Sequence, residues 1–192
     1  MSYKSEHPEK GCSYFITFTC YQWLPLIDAT DSYDFIYHRM LKLIVKQNQV
    51  IGFVIMPNHI HFTLFIPETG ITLKTIIGEE KRMMAYHIIH ELKKRNRFDL
   101  LLKLSEGVRE WEKKRGKLHQ VFDYSFEAKQ IRSDKFHEQK LIYMHNNPLK
   151  GKWKLANTPE EYSHSSTAFY FSGKESRVKI THYKDAGIYE DA

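Results

Sequence analysis

Residues 50–56 and 59–66 are two apolar runs of strand length that meet at the dipeptide Pro57–Asn58, and no other feature of the 192-residue chain narrows its fold as much. Runs this short, rich in Val, Ile and Phe and broken by a tight-turn pair, predict a β-hairpin. The flanking segments extend the pattern. SYFITFTCY over 13–21 alternates and predicts a first strand. Asp31 is placed to cap a helix over 32–47, where Phe35, Ile36, Met40, Leu41, Leu43 and Ile44 recur at helical spacing. A second helix is expected over 72–94, a fourth strand within 119–132, and a further helix from Asp134 to about Asn146, stopped by Pro148. The order β-α-β-β-α-β predicts an α+β, ferredoxin-like core, an antiparallel sheet with helices on one face, followed by an extra helix and a tail. We expect one domain over 1–150 with a basic insertion at about 97–118. An extension over 151–192 would pack on that domain or take part in binding a ligand.

Composition narrows the classes of function. A hydrophobic fraction of 42% supports a real core, and the apolar runs are too short to span a membrane. The polar start, MSYKSEHPEKG, carries no hydrophobic signal segment, so a cytoplasmic location is expected. Cys12 and Cys20 form neither a CxxC pair nor a disulfide framework. A net charge of +6 favours a polyanionic partner, and 14% aromatic residues among basic ones suit stacking on unpaired bases, although most such rings belong to the core.

The hairpin also carries chemistry. His59 and His61 are two apart on a strand, so their imidazoles share a face while Ile60 points the other way. Such a pair is half of a divalent-metal site. A bare HxH, however, is often no more than two surface histidines. The segment Tyr143-Met144-His145-Asn146-Asn147-Pro148 supplies a candidate second half. Tyr143 and Asn147 are four apart on the expected helix and share its face, so the Asn147 amide oxygen can reach a hard cation beside the Tyr143 phenol. The structural alternative is a core tyrosine followed by a helix-capping asparagine and a proline stop.

Taken jointly, GFVIMPNHIHFTLFIP, QIRSDKFHEQKLIYMHNNPLKGKW, SYFITFTCYQWLPLI and EEYSHSSTAFY resemble the HUH superfamily of single-strand nucleases, and within it the REP-associated tyrosine transposases. The resemblance covers most of the chain. It implies that His59, His61 and Asn147 hold Mg²⁺ or Mn²⁺ and that Tyr143 attacks a phosphate of single-stranded DNA next to a hairpin. A 5′-phosphotyrosine and a free 3′-hydroxyl would result, and the stored bond would permit rejoining. Where many relatives carry an Asp-His or similar pair, this chain reads Phe126-Glu127-Ala128-Lys129-Gln130-Ile131-Arg132, so any role of that histidine is absent or moved to Lys129.

DNA contacts are expected from Lys81, Arg82, Lys93 and Arg95, from Arg132, and from Lys150 and Lys152 after the tyrosine helix. Arg109, Lys113, Lys114, Arg115 and Lys117 of the insertion would join them, unless Glu106, Glu110 and Glu112 make it a neutralised, solvated face. Tyr162, Tyr170 and Phe171 either stack on bases or pack over the domain. The alternatives are a related replication or conjugative nicking enzyme and a non-catalytic nucleic-acid-binding protein on the same fold. A structural zinc protein would lack cysteine ligands at zinc spacing. Monomer and homodimer both remain open.

Overall fold

The computed structural model describes residues 10–151 and 153–187. Strands β1 (Cys12–Thr19), β2 (Gln49–Met56), β3 (His59–Ile66) and β4 (Glu127–Ile131) form one antiparallel sheet in the order β2-β3-β1-β4. This is the expected ferredoxin-like order. The hairpin closes across Pro57–Asn58 with Met56 opposite His59 and Val54 opposite His61.

Seven helices accompany the strands among the described residues: α1 (Leu26–Ala29), α2 (Tyr33–Val45), α3 (Leu73–Lys94), α4 (Phe98–Glu106), α5 (Glu110–Lys113), α6 (Asp134–His145) and α7 (Thr167–Ser172). Strand alternation sorts them onto two faces. Tyr14, Ile16 and Phe18 of β1 join Phe53, Ile55, Ile60, Phe62 and Leu64 in the larger core, under Ile36, Met40 and Leu43 of α2 and Ile77, Met84 and Ile88 of α3. The intervening Phe15, Val54 and Met56 face the other way, against Leu141 and Met144 of α6. Because His59 and His61 alternate with Ile60, they lie on the α6 face.

Several expected boundaries shift for local reasons. The first strand ends at Thr19, and Tyr21–Trp23 turns out of the sheet as a short 3-10 segment. Asp31 caps nothing: it turns left-handed (φ 51°) between α1 and α2, and Ser32 takes the N-cap position instead. The insertion is helical, with Leu100, Leu101 and Leu104 of α4 buried, whereas α5 buries no residue. Neither Cys12 nor Cys20 is in a disulfide. No helix among the described residues is long and apolar enough to cross a membrane.

The tail solves a problem that the sheet creates. β2 lies at the edge, and an open strand edge invites pairing with other chains. Residues 162–170 occupy it: Ile55 N–H donates to His164 O (2.9 Å), Ser166 N–H to Phe53 O (3.0 Å), the Tyr162 hydroxyl to Ile55 O (2.7 Å) and the Tyr170 hydroxyl to Ile51 O (2.8 Å). The Ser166 hydroxyl accepts from Phe53 N–H (3.0 Å) and lies 2.9 Å from Nε2 of His145, which ties α6 to the same edge.

His145 is buried, and desolvation pushes its imidazole down from 6.5 to about 4. The unfolded chain therefore binds a proton there that the folded chain refuses. Stability is expected to be level above pH 6.5 on this account, and to fall as pH drops from 6.5 toward 4. Chemical denaturation at several pH values checks this, and His145→Gln should shrink the acid-side slope relative to wild type.

Candidate active site

β3 presents His59 and His61 beneath α6 with ring centroids 4.8 Å apart and planes at 78°; their exposures are only 7% and 5%. Burial is the main force on both imidazoles. It holds His59 below its usual value and, reinforced by repulsion from His59 when that ring is protonated and from Lys140, it pushes His61 down to about 3. Both rings are therefore neutral at neutral pH, and each carries one nitrogen lone pair.

The neighbours determine where those lone pairs point. Asn58 donates its amide N–H to Trp23 O (3.2 Å), which turns Asn58 Oδ1 toward Nδ1 of His59 at 2.7 Å. Nδ1 must then donate, and the His59 lone pair sits on Nε2. Thr17, opposite His61 in the β1–β3 register, places its hydroxyl 2.7 Å from Nδ1 of His61 and leaves Nε2 of that ring facing away.

α6 starts on Ser133, whose hydroxyl accepts from Phe136 N–H, and it carries Tyr143 two residues before its last, His145. The helix stops sooner than its i, i+4 spacing anticipated, and Asn147 opens a 3-10 turn, Asn147–Leu149, with Pro148 buried. Asn147 still reaches back, donating its amide N–H to Tyr143 O (3.2 Å). Its Oδ1 consequently faces Nε2 of His59 at 3.3 Å. Two acceptors meet there with no proton to share. Adjacent ligands of an octahedral divalent cation with bonds of about 2.1 Å lie about 3 Å apart, so the pair fits a cation site. Among the described residues no cluster of three His, Cys, Asp or Glu could hold a metal, so the candidate set is two imidazoles and one amide, completed by water.

The Tyr143 ring stands 5.4 Å from that of His61 at 68° and is 49% exposed. The Lys140 ammonium lies 5.6 Å from the Tyr143 ring and 4.8 Å from that of Phe15. A cavity of about 300 Å³ opens between the histidine face and α6, lined by Thr17, Thr19, Trp23, His59, His61, Asp123, Ser125, Phe126, Glu127, Tyr143 and Asn147. One chain contributes all of these groups.

The expected phosphate contacts are more scattered, and none of those among the described residues lines this cavity. Lys81 donates to the carbonyls of Asp123 and Ser125, and burial lowers it to about 8. It fastens the segment that forms the cavity wall instead of reaching outward. Arg82 and Lys93 lie exposed along α3, on the opposite face of the sheet, and Arg95, exposed just past its end, lies 3.5 Å from Glu91. Arg132 is exposed and donates to the Gln130 side chain, and Lys150 is exposed just after the Asn147 turn. Lys152 lies outside the described residues. Lys129 pairs with Glu127 at 2.8 Å. Of the tail aromatics, Tyr162 and Tyr170 are committed to the β2 edge, whereas Phe171 is exposed.

Sequence reasoning missed Thr17, Asn58, Trp23, Asp123 and Glu127 as parts of the site. Only Thr17 and Glu127 left a signal, because their strand alternation sets them on the His61 face once the register is known.

Compared with solved structures, the chain matches a REP-associated tyrosine transposase bound to a REP hairpin, over 100% of both chains, at a TM-score of 0.62 and 18% identity. The chain has that transposase's fold. A crystal structure described as a putative transposase from Deinococcus radiodurans R1 aligns at a TM-score of 0.33 and 11% identity, over 76% of this chain and 97% of that one. No protein-family model matches the sequence, and no curated protein matches it.

Proposed function

We propose that this protein is a metal-dependent single-stranded DNA endonuclease and transposase that cleaves and rejoins DNA next to a hairpin through a 5′-phosphotyrosine. The observation that carries the reading is the convergence of His59, His61, Asn147 and Tyr143 in one cavity, brought together from segments 88 residues apart at the His59–Asn147 contact. The fold shared with a REP-associated tyrosine transposase supports it.

Nε2 of His59, Nε2 of His61 and Oδ1 of Asn147 would hold Mg²⁺ or Mn²⁺, and the bound ion would polarise the scissile phosphate and offset its charge. The chain's own residues do the rest. Asn58 fixes the His59 tautomer and Thr17 holds the orientation of the His61 ring, so that the two rings need little reorganisation. The Asn147–Tyr143 hydrogen bond locks the amide and the end of the tyrosine helix together. The Tyr143 oxygen attacks phosphorus and releases its proton to solvent, which reaches this half-exposed ring. The bond from phosphorus to the 3′-oxygen breaks, and that oxygen leaves as a hydroxyl after taking a proton. The phosphodiester energy is retained in the Tyr143 ester, and a second 3′-hydroxyl can reverse the step on another strand. Lys140 adds positive charge beside the ring where negative charge develops.

Incubation with end-labelled, hairpin-bearing single-stranded DNA tests the reading. A denaturation-resistant protein–DNA adduct is expected with Mn²⁺, none after chelation, and none from a His59→Ala, His61→Ala variant that remains folded. An adduct that persists undiminished in EDTA would remove the metal from the account.

A further inference from the structure

We propose that Trp23 forms a stacking subsite for an unpaired nucleobase of the strand lying in the cavity, next to the phosphate presented to Tyr143. The proposal rests on the single-strand nuclease reading above. Its first support is exposure at the site. The Trp23 side chain lines the same cavity as His59, His61, Tyr143 and Asn147, yet the residue is 56% exposed. Its one ring contact among the described residues is edge-on, to His59, with centroids 5.4 Å apart and planes at 70°. A flat indole left open beside a polar cavity is what a base needs, since every base offers a π face whatever its identity.

The backbone gives a second, independent reason. Gln22 and Trp23 both adopt left-handed conformations, with φ of 51° and 56°. A bulky residue rarely sits there, and two in succession persist only where surrounding contacts enforce them. Those contacts are present: Tyr21 N–H donates to Val121 O (2.8 Å), Trp23 N–H to Cys20 O (2.9 Å), and Cys20 N–H to Asn58 O (2.8 Å). The Asn58 side chain completes the set by holding Trp23 O while accepting from His59. One buried amide thus fixes both the indole's place and the lone pair of a candidate metal ligand. The left-handed backbone holds a tryptophan beside the cavity with more than half of its surface exposed, and a stacked base would cover that surface. Stacking tolerates any base, so Trp23 would seat the strand while sequence is read elsewhere.

An abasic-site scan tests this directly. Full-length wild type, Trp23→Ala and Trp23→Phe, each verified as folded by thermal melting, are titrated with a hairpin-bearing oligonucleotide. An abasic nucleotide is walked along its single-stranded flank one position at a time. For wild type, one position is expected to weaken binding roughly 5- to 100-fold. Trp23→Ala should bind the intact strand weaker by a similar factor and show no further loss at that position, while Trp23→Phe keeps part of the effect. Equal abasic losses in wild type and Trp23→Ala at every position would overturn the subsite. Adduct formation by wild type is scored in parallel. A missing adduct with the scan result intact would sink the nuclease reading and leave the subsite standing, whereas failure to bind any strand would sink both.

Discussion

Tyr143→Phe is expected to abolish the covalent adduct and to lower strand cleavage by a factor on the order of 10⁴ or more, because it removes the only atom proposed to bond to phosphorus. The change is nearly silent elsewhere. The ring keeps its place against His61 and Phe15. At 49% exposure, Tyr143 contributes little to the core, and its hydroxyl has no hydrogen-bond partner among the described residues. Stability should therefore stay within about 0.5 kcal/mol of wild type. Single-strand affinity should be largely retained, since the proposed metal ligands and the cavity wall are untouched. Cleavage rates, adduct yield and denaturation curves measured on one preparation separate these effects. A variant that still forms adduct at the wild-type rate would place the nucleophile on another residue.

The largest effect on stability is expected away from the site. Arg39 of α2 and Glu80 of α3 are 5% and 3% exposed, and they meet as a two-pronged pair, Nε to Oε2 and Nη2 to Oε1, both at 2.7 Å. Glu80→Ala would leave the guanidinium buried beside apolar side chains and should cost about 3–5 kcal/mol. Glu79, 3.4 Å from the same Arg39 nitrogen but also held by Lys46, offers partial compensation. Urea denaturation of the single variant reads the cost. A double variant, Arg39→Met with Glu80→Leu, should recover much of it, because both desolvated charges are gone. A loss below about 1 kcal/mol for Glu80→Ala would mean that Glu79 or solvent replaces the lost partner.

The parts of the fold that were legible in the sequence follow short-range rules. Residues two apart on a strand share a face, so the shared face of His59 and His61 with Ile60 opposite was readable from spacing alone, whereas the burial of both imidazoles was not, because it comes from α6 packing over that face. The Pro57–Asn58 turn left little freedom in how β2 meets β3, and the Pro148 stop placed the end of the tyrosine helix within two residues. What stayed hidden depends on long-range register or on single torsions. Thr17 orients His61 only because β1 pairs with β3 at that offset. Trp23 reaches the cavity through two left-handed residues that no periodicity encodes. α1 spans four residues, too few to leave a helical pattern. The tail carries no periodicity because its side chains, Tyr162, Ser166 and Tyr170, bond to backbone groups of β2 instead of forming a regular face. Lys81 looked like a phosphate contact because a basic helix surface is visible in sequence, while the Asp123 and Ser125 carbonyls that claim it are not.

Mass spectrometry of the trapped complex addresses the central claim most directly. After reaction with hairpin-bearing single-stranded DNA in Mn²⁺, nuclease trimming and proteolysis, a nucleotide should be found linked through its 5′-phosphate to the peptide containing Tyr143, and to none of the other eleven of the chain's 12 tyrosines. A 3′-phosphate linkage, a modified peptide lacking Tyr143, or complete cleavage with no linked peptide at any time point would contradict the account.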